Sequence, residues 1–156
     1  MARDEQALRA AVEQSAAVLA SAGFPKMPAR VLMSLMVSDD GALTASELAQ
    51  RLEVSAAGIS GAVRYLQTIG IIRRVAQSGS RRDRYELPED PWYAAAASES
   101  RVYGALAGLA DRAIDALDDP SSTTTSRVRD MARFYRFLDI RLPHLMAEWE
   151  VLRRQV

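Results

Sequence analysis

The 156-residue sequence predicts a mainly α chain with one small β-hairpin, an α+β arrangement. Three observations carry that prediction. Apolar residues recur at i, i+3, i+4 spacing over most of the chain, the period of an amphipathic helix. After Gly70 the pattern changes to two short runs, "IIRRVAQ" and "RYEL", around the turn-rich "SGSRRD", which reads as a hairpin. Helix-capping hydroxyls and closing glycines punctuate the helical stretches.

Residues 5–22 place Leu8, Ala11, Val12, Ser15, Ala16 and Leu19 on one helical face. Gly23 ends this helix, and "GFPKMP" connects it to a second. Pro28 suits a first helical turn, where its missing N–H costs nothing. The following "ARVLMSLMV" is apolar nearly all round, so it belongs in the core, and it stops at "SDDG". Thr44 and Glu47 have the spacing of a capping box for a third helix, whose stripe is Leu48, Ala49 and Leu52. Ser55 caps a fourth helix, about 55–69, with Ile59, Val63 and Leu66 inward and Gly70 as its stop.

The hairpin follows, closed by Pro88 and Pro91. A long helical pattern then runs from Trp92 to about Leu117, and "DDPSSTTTS" reads as a polar loop. A last helix is expected from about Arg127 to the end, with Pro143 kinking or breaking it. The organisation expected is an N-terminal helix over 1–24, a compact unit over 25–90 and a pair of C-terminal helices over 91–156. The outer helices carry more apolar surface than one small unit can cover, which points to self-association.

Composition narrows the function classes. The chain is 49% hydrophobic and 26% charged, the profile of a folded protein with a core. It has no cysteine, which excludes disulfides and thiolate metal sites. The N-terminal stretch lacks a secretory pattern, and no apolar run approaches the roughly 18–20 residues of a membrane span, so no membrane partner and a cytoplasmic location are expected. His144 is the only histidine and has no partner suggesting a triad or metal site. The pairs Asp39–Asp40, Glu89–Asp90 and Asp118–Asp119 read as solvated caps, and no phosphate loop or dinucleotide fingerprint occurs. No catalytic residue, metal or cofactor is expected, and the chain does not read as an enzyme.

Charge points elsewhere. The total is zero, 20 basic residues against 20 acidic ones. From Arg51 to Tyr85, however, there are seven arginines against Glu53 and Asp83, a local excess of +5. This segment contains the third and fourth helices, arranged as a helix-turn-helix, and the hairpin. The outward face of the fourth helix carries Ser55, Ala56, Ala57, Ser60, Gly61, Arg64 and Thr68, short, polar and basic as a major-groove helix requires. Gly58 and Gly61 each cost about 0.8–1 kcal/mol of helix propensity relative to alanine. Gly61 lies outward, where a missing side chain lets the backbone approach DNA; Gly58 lies nearer the crossing with the third helix, where close packing is the expected reason.

Arg64 is placed to read guanine or to hold a phosphate. The tip of the hairpin, about 78–84, presents Arg81, Arg82 and Arg84 to the minor groove or the backbone. Arg73 and Arg74 alternate across a strand, so one is expected to reach a phosphate while the other is exposed or paired with an acid.

The stretch "PARVLMSLMVSDDGALTASELAQRLEVSAAGISGAVRYLQTIGIIRRVAQSGSRRDRYEL" resembles the winged helix-turn-helix regulators of the MarR superfamily, most closely the GbsR-like branch. The likeness continues into "PWY" and the two C-terminal helices. One departure is Glu53, where many helix-turn-helix units have glycine. The resemblance implies a homodimeric, sequence-specific transcription factor, most often a repressor, with the terminal helices forming the dimer interface. A two-fold dimer would set two recognition helices roughly 34–36 Å apart on a palindromic double-stranded operator. The resemblance also implies a small-molecule effector in some members, and it makes a quaternary ammonium compound thinkable. Trp92, Tyr93, Tyr135 and Trp149 are then candidates for an aromatic effector pocket, against the plainer reading of core and interface residues. The rival function is a winged-helix protein-interaction module that touches no DNA; the local +5 argues against it.

Overall fold

The computed structural model describes residues 4–77, 79, 82–89 and 91–155, with the backbone alone for 92–100. It divides into two compact units, Met1–Pro91 and Trp92–Val156.

In the first unit, α1 (Glu5–Ser21) begins where the Asp4 carboxylate accepts the Ala7 N–H at 2.9 Å. The helix α2 (Lys26–Met36) is the centre of the core: Ala29, Val31, Leu32 and Leu35 are at most 1% exposed. Both halves of the expected capping box open α3 (Ala45–Leu52). The Thr44 N–H donates to Glu47 Oε2 at 2.7 Å, and the Glu47 N–H donates to Thr44 Oγ1 at 3.2 Å. Ser55 Oγ accepts the Gly58 N–H at 3.3 Å and starts α4 (Ala56–Thr68). Leu48 of α3 and Ile59, Ala62, Val63 and Leu66 of α4 close against α2. At Gly70, φ is +76° and the next N–H returns to the Leu66 carbonyl at 3.0 Å, which ends α4 as glycine permits.

The sheet is larger than the hairpin that the sequence suggests. The hairpin strands β2 (Arg73–Ala76) and β3 (Asp83–Glu86) are joined by a short strand β1 (Ala42–Thr44), in the order β1-β3-β2, all antiparallel. Leu43 sits opposite Tyr85, and Thr44 opposite Arg84. Three residues are too few to show a period of two, so only the pairing reveals β1. Ala42 and Leu43 of β1, and Ile71 and Ile72 just before β2, are buried.

The second unit contains α5 (Pro91–Leu117) and α6 (Thr123–Arg153). The last helix begins before Arg127 because Ser122 caps it: Ser122 Oγ accepts the Thr125 N–H at 3.0 Å. The fully buried Thr125 hydroxyl donates to the Asp119 carbonyl at 2.7 Å. Nor does Pro143 break α6, which runs through it at the cost of the bond Pro143 cannot give to the carbonyl four residues back. The two helices approach closely at Gly104, where an added Cβ would lie 3.1 Å from Asp139 Oδ2.

Candidate nucleic-acid interface

The face of α4 turned away from the core is built by subtraction. Ile59, Ala62, Val63 and Leu66 take the inward positions, so Ser55, Ala56, Ala57, Ser60, Gly61, Arg64 and Thr68 are left exposed. Gln67, one turn on from Arg64, is also exposed and was missed by the sequence reading, although its i+3 spacing places it on that face. Its amide can pair with an adenine edge as arginine pairs with guanine. Arg64 makes no ion pair among the described residues, so its guanidinium is available. Ser55 uses its oxygen as the cap acceptor and keeps its O–H to donate. The Thr68 hydroxyl is already spent on the Arg64 carbonyl at 2.9 Å, leaving it an acceptor only.

The two glycines have different surroundings. A Cβ at Gly61 would meet nothing within 4 Å, so this position is an open stretch of backbone. At Gly58 an added Cβ would meet only the capping oxygen of Ser55, at 3.7 Å, an ordinary contact. No neighbouring helix presses on it, which corrects the expectation of tight packing.

The arginines of the hairpin are more committed than their spacing suggests. Arg73 Nε donates to Glu86 at 2.6 Å, and Arg74 pairs with Asp83, whose carboxylate pushes the Arg74 pKa up. Both are therefore acid-paired, whereas one was expected to reach outward. Each guanidinium stays well exposed, with side chains 66% and 61% accessible, and water screens such surface pairs enough for phosphate to replace the carboxylate. Arg84 sits below the tip rather than on it. Its Nη2 donates to Asp40 Oδ2 and to the Ala42 carbonyl, each at 2.7 Å, and the hydrogen bond to Asp40 holds that carboxyl below its ordinary value. Arg82 is exposed, three positions after Gly79, and Arg81 lies outside the described residues.

The aromatic candidates are not gathered. Tyr135 stacks on Tyr103 of α5 with ring centroids 5.5 Å apart, while Trp149 stands half-exposed fourteen residues further along α6. At 1.5 Å per residue that separates them by about 21 Å. The side chains of Trp92 and Tyr93 lie outside the described residues. His144 is exposed, and no group of three or more His, Cys, Asp or Glu side chains suited to a metal occurs among the described residues. No helix among them is long and apolar enough to cross a membrane.

Comparison with known proteins agrees with this geometry. Residues 22–83 match the model of the MarR family, and residues 90–153 match that of the MmpR5-like MarR family transcriptional regulators. The HTH-type transcriptional regulator MmpR5 of Mycobacterium tuberculosis is 30% identical over 128 residues, 82% of this chain and 78% of that protein. Among solved structures, a crystal structure of a transcriptional regulator superposes with a TM-score of 0.79 at 28% identity, covering 89% of this chain and 95% of the other.

Proposed function

Because the chain belongs to the MarR family of transcriptional regulators, we propose that it is a homodimeric repressor that reads a palindromic operator. In this reading Ser55, Ala57, Ser60, Gly61, Arg64 and Thr68 face the major groove. Gln67 extends the same face. Arg81, Arg82 and the exposed guanidinium groups of Arg73 and Arg74 meet the minor groove or phosphates, and Arg84 supports the base of the wing. The observation that carries the reading is the exposed face of α4, where Arg64, without an ion pair among the described residues, lies one turn on from the side-chain-free surface at Gly61. The working division is 1–24 and 91–156 for dimerisation and 25–90 for DNA. The finer assignment to the GbsR-like branch rests on the pattern of residues 28–87 and its continuation into the C-terminal helices, whereas residues 90–153 match the MmpR5-like model. A small-molecule effector belongs to the proposal only as a feature that other members suggest.

The test is a titration of the purified protein against its own promoter region and a scrambled duplex at two salt concentrations. Tight binding that prefers the promoter is expected, with a log–log salt slope near −0.9 per phosphate neutralised. Arg64→Ala should lower the preference by about 1–3 kcal/mol if it reads a base. Arg82→Ala should weaken binding to both duplexes alike. Equal, weak binding of the unaltered protein to both, repeated in a selection from random DNA, would sink the reading and favour a protein-interaction module.

A further inference from the structure

Two side chains of α1 on one face of the helix, Arg9 and Glu13, reach toward the turn that leads into α4. Glu13 receives the guanidinium of Arg30, on α2, through three contacts. Arg30 Nε lies 2.9 Å from each carboxylate oxygen and Nη2 lies 2.6 Å from Oε1. The same Nη2 donates to the carbonyl of Leu52, the last residue of α3, at 3.1 Å. Only 17% of the Arg30 side chain is exposed. One guanidinium therefore ties three helices together, and at α3 it does so on a terminal carbonyl that the helix leaves without a partner. Beside it, Arg9 bonds Glu53 at 2.7 Å, but both groups are well exposed and the pair contributes little.

The turn requires outside support. Glu53 sits at φ 55°, ψ 46°, the left-handed region that strains any residue with a side chain and persists where neighbours hold it. Beside the turn, a half-open cleft of about 60 Å³ lies among residues that include Leu8, Val12, Ser34, Val37 and Leu52. Side chains between α1 and α3 therefore interlock less than in a closed core. There the hydrogen bonds of Arg30 add a directional tie to the packing of α3 and α4 on α2.

Resting on the DNA-binding reading above, we infer that Glu13 and Arg30 are a positioning pair for the recognition helix. They set the direction in which α4 leaves the turn, so a displacement of α1 is felt at the face that reads bases. Neither residue lies on α4 or on the wing, so their effect is on alignment and not on contact.

The experiment compares the full-length protein with Glu13→Gln, Arg30→Lys and the double variant, by hydrogen–deuterium exchange without DNA and by binding to promoter and scrambled duplexes. Glu13→Gln keeps the volume and removes the charge; Arg30→Lys keeps the charge and removes the fork. Amides of residues 53–58 should exchange about ten-fold faster in each variant, with β3 unchanged, as expected of a local opening. Promoter preference should fall about ten-fold, the scale of one lost base contact, with the salt slope unchanged because no phosphate contact is removed. The double variant should be no worse than the more affected single one, since the pair acts as a unit. Unchanged exchange at the turn overturns the inference whatever DNA does, and so do additive effects or an altered salt slope. Should the unaltered protein fail to distinguish the duplexes, the DNA-binding reading fails, while exchange at the turn still decides the positioning pair.

Discussion

In the unit Met1–Pro91 the large apolar side chains turn inward, with Val18, Met36 and Tyr65 as exposed exceptions: Leu32, Leu35, Leu48, Ile59 and Leu66 are at most 1% exposed. In Trp92–Val156 they turn outward, with Phe134 and Phe137 each 57% exposed and Ile140 62%. The hydrophobic residues buried there, among those described, are Ala107, Ala110 and Ala132. The difference follows from the number of layers. Four helices and a sheet can enclose a core, whereas two helices bury one narrow stripe each and leave the rest of their apolar surface to another partner. The first unit thus encloses a core of its own. The second has an apolar face of the kind that marks an interaction site, which supports the proposed dimer.

Substitutions can break this contrast. The largest effect is expected from Leu35→Ala, which empties a fully buried site and should cost about 2–5 kcal/mol in urea unfolding. Phe137→Ala, at an exposed site, should leave the unfolding of the first unit untouched. If the two behave alike, the contrast is false. Replacing Phe134 and Phe137 together by Ser should weaken self-association by about 2–4 kcal/mol, seen by ultracentrifugation as monomer at micromolar concentration. A variant that remains fully dimeric would remove this face from the proposed interface.

Smaller effects sharpen the comparison. Pro143→Ala should restore a helix bond in α6 and raise thermal stability by about 1–3 kcal/mol, unless a partner uses the proline. Thr44→Ala removes the α3 cap and should cost about 1 kcal/mol, read from denaturant midpoints. The smallest effect concerns pH. The Thr44 backbone N–H, then its hydroxyl, hold the Glu47 carboxyl below its ordinary value of 4.5. A carboxyl depressed in the folded state contributes stability above its unfolded pKa and loses it as pH falls through the folded one. Glu47→Gln should therefore flatten part of the loss of stability on acidification from about pH 5 to pH 3; an unchanged acid limb would deny the cap any such role.

Features set by neighbours in the chain were legible in advance. The Thr44–Glu47 box, the Ser55 cap, the stop at Gly70 and the exposed face of α4 each follow from spacings of a few residues. The separation of Tyr135 from Trp149 was equally legible, since fourteen residues along one helix cannot meet at one point. Features that join distant segments were not. Strand β1 exists because Ala42–Thr44 find β3, and Arg84 turns from the wing because Asp40 lies across that pairing. Strand alternation at Arg73 and Arg74 says nothing of the acids that β3 supplies, Glu86 opposite Arg73 and Asp83 diagonal to Arg74.

The order and faces of the helices, the place of the hairpin and the local excess of positive charge are all written in the residue order. Helical period and capping are interactions within one or two turns, so spacing records them. Which of the described arginines are paired, that no other helix comes within 4 Å of a Cβ at Gly58, and that Arg30 joins α1 to the turn before α4 emerge only from the tertiary fold. Those outcomes depend on where the chain returns in space, and a side chain's partner forty residues away leaves no periodic mark at either position.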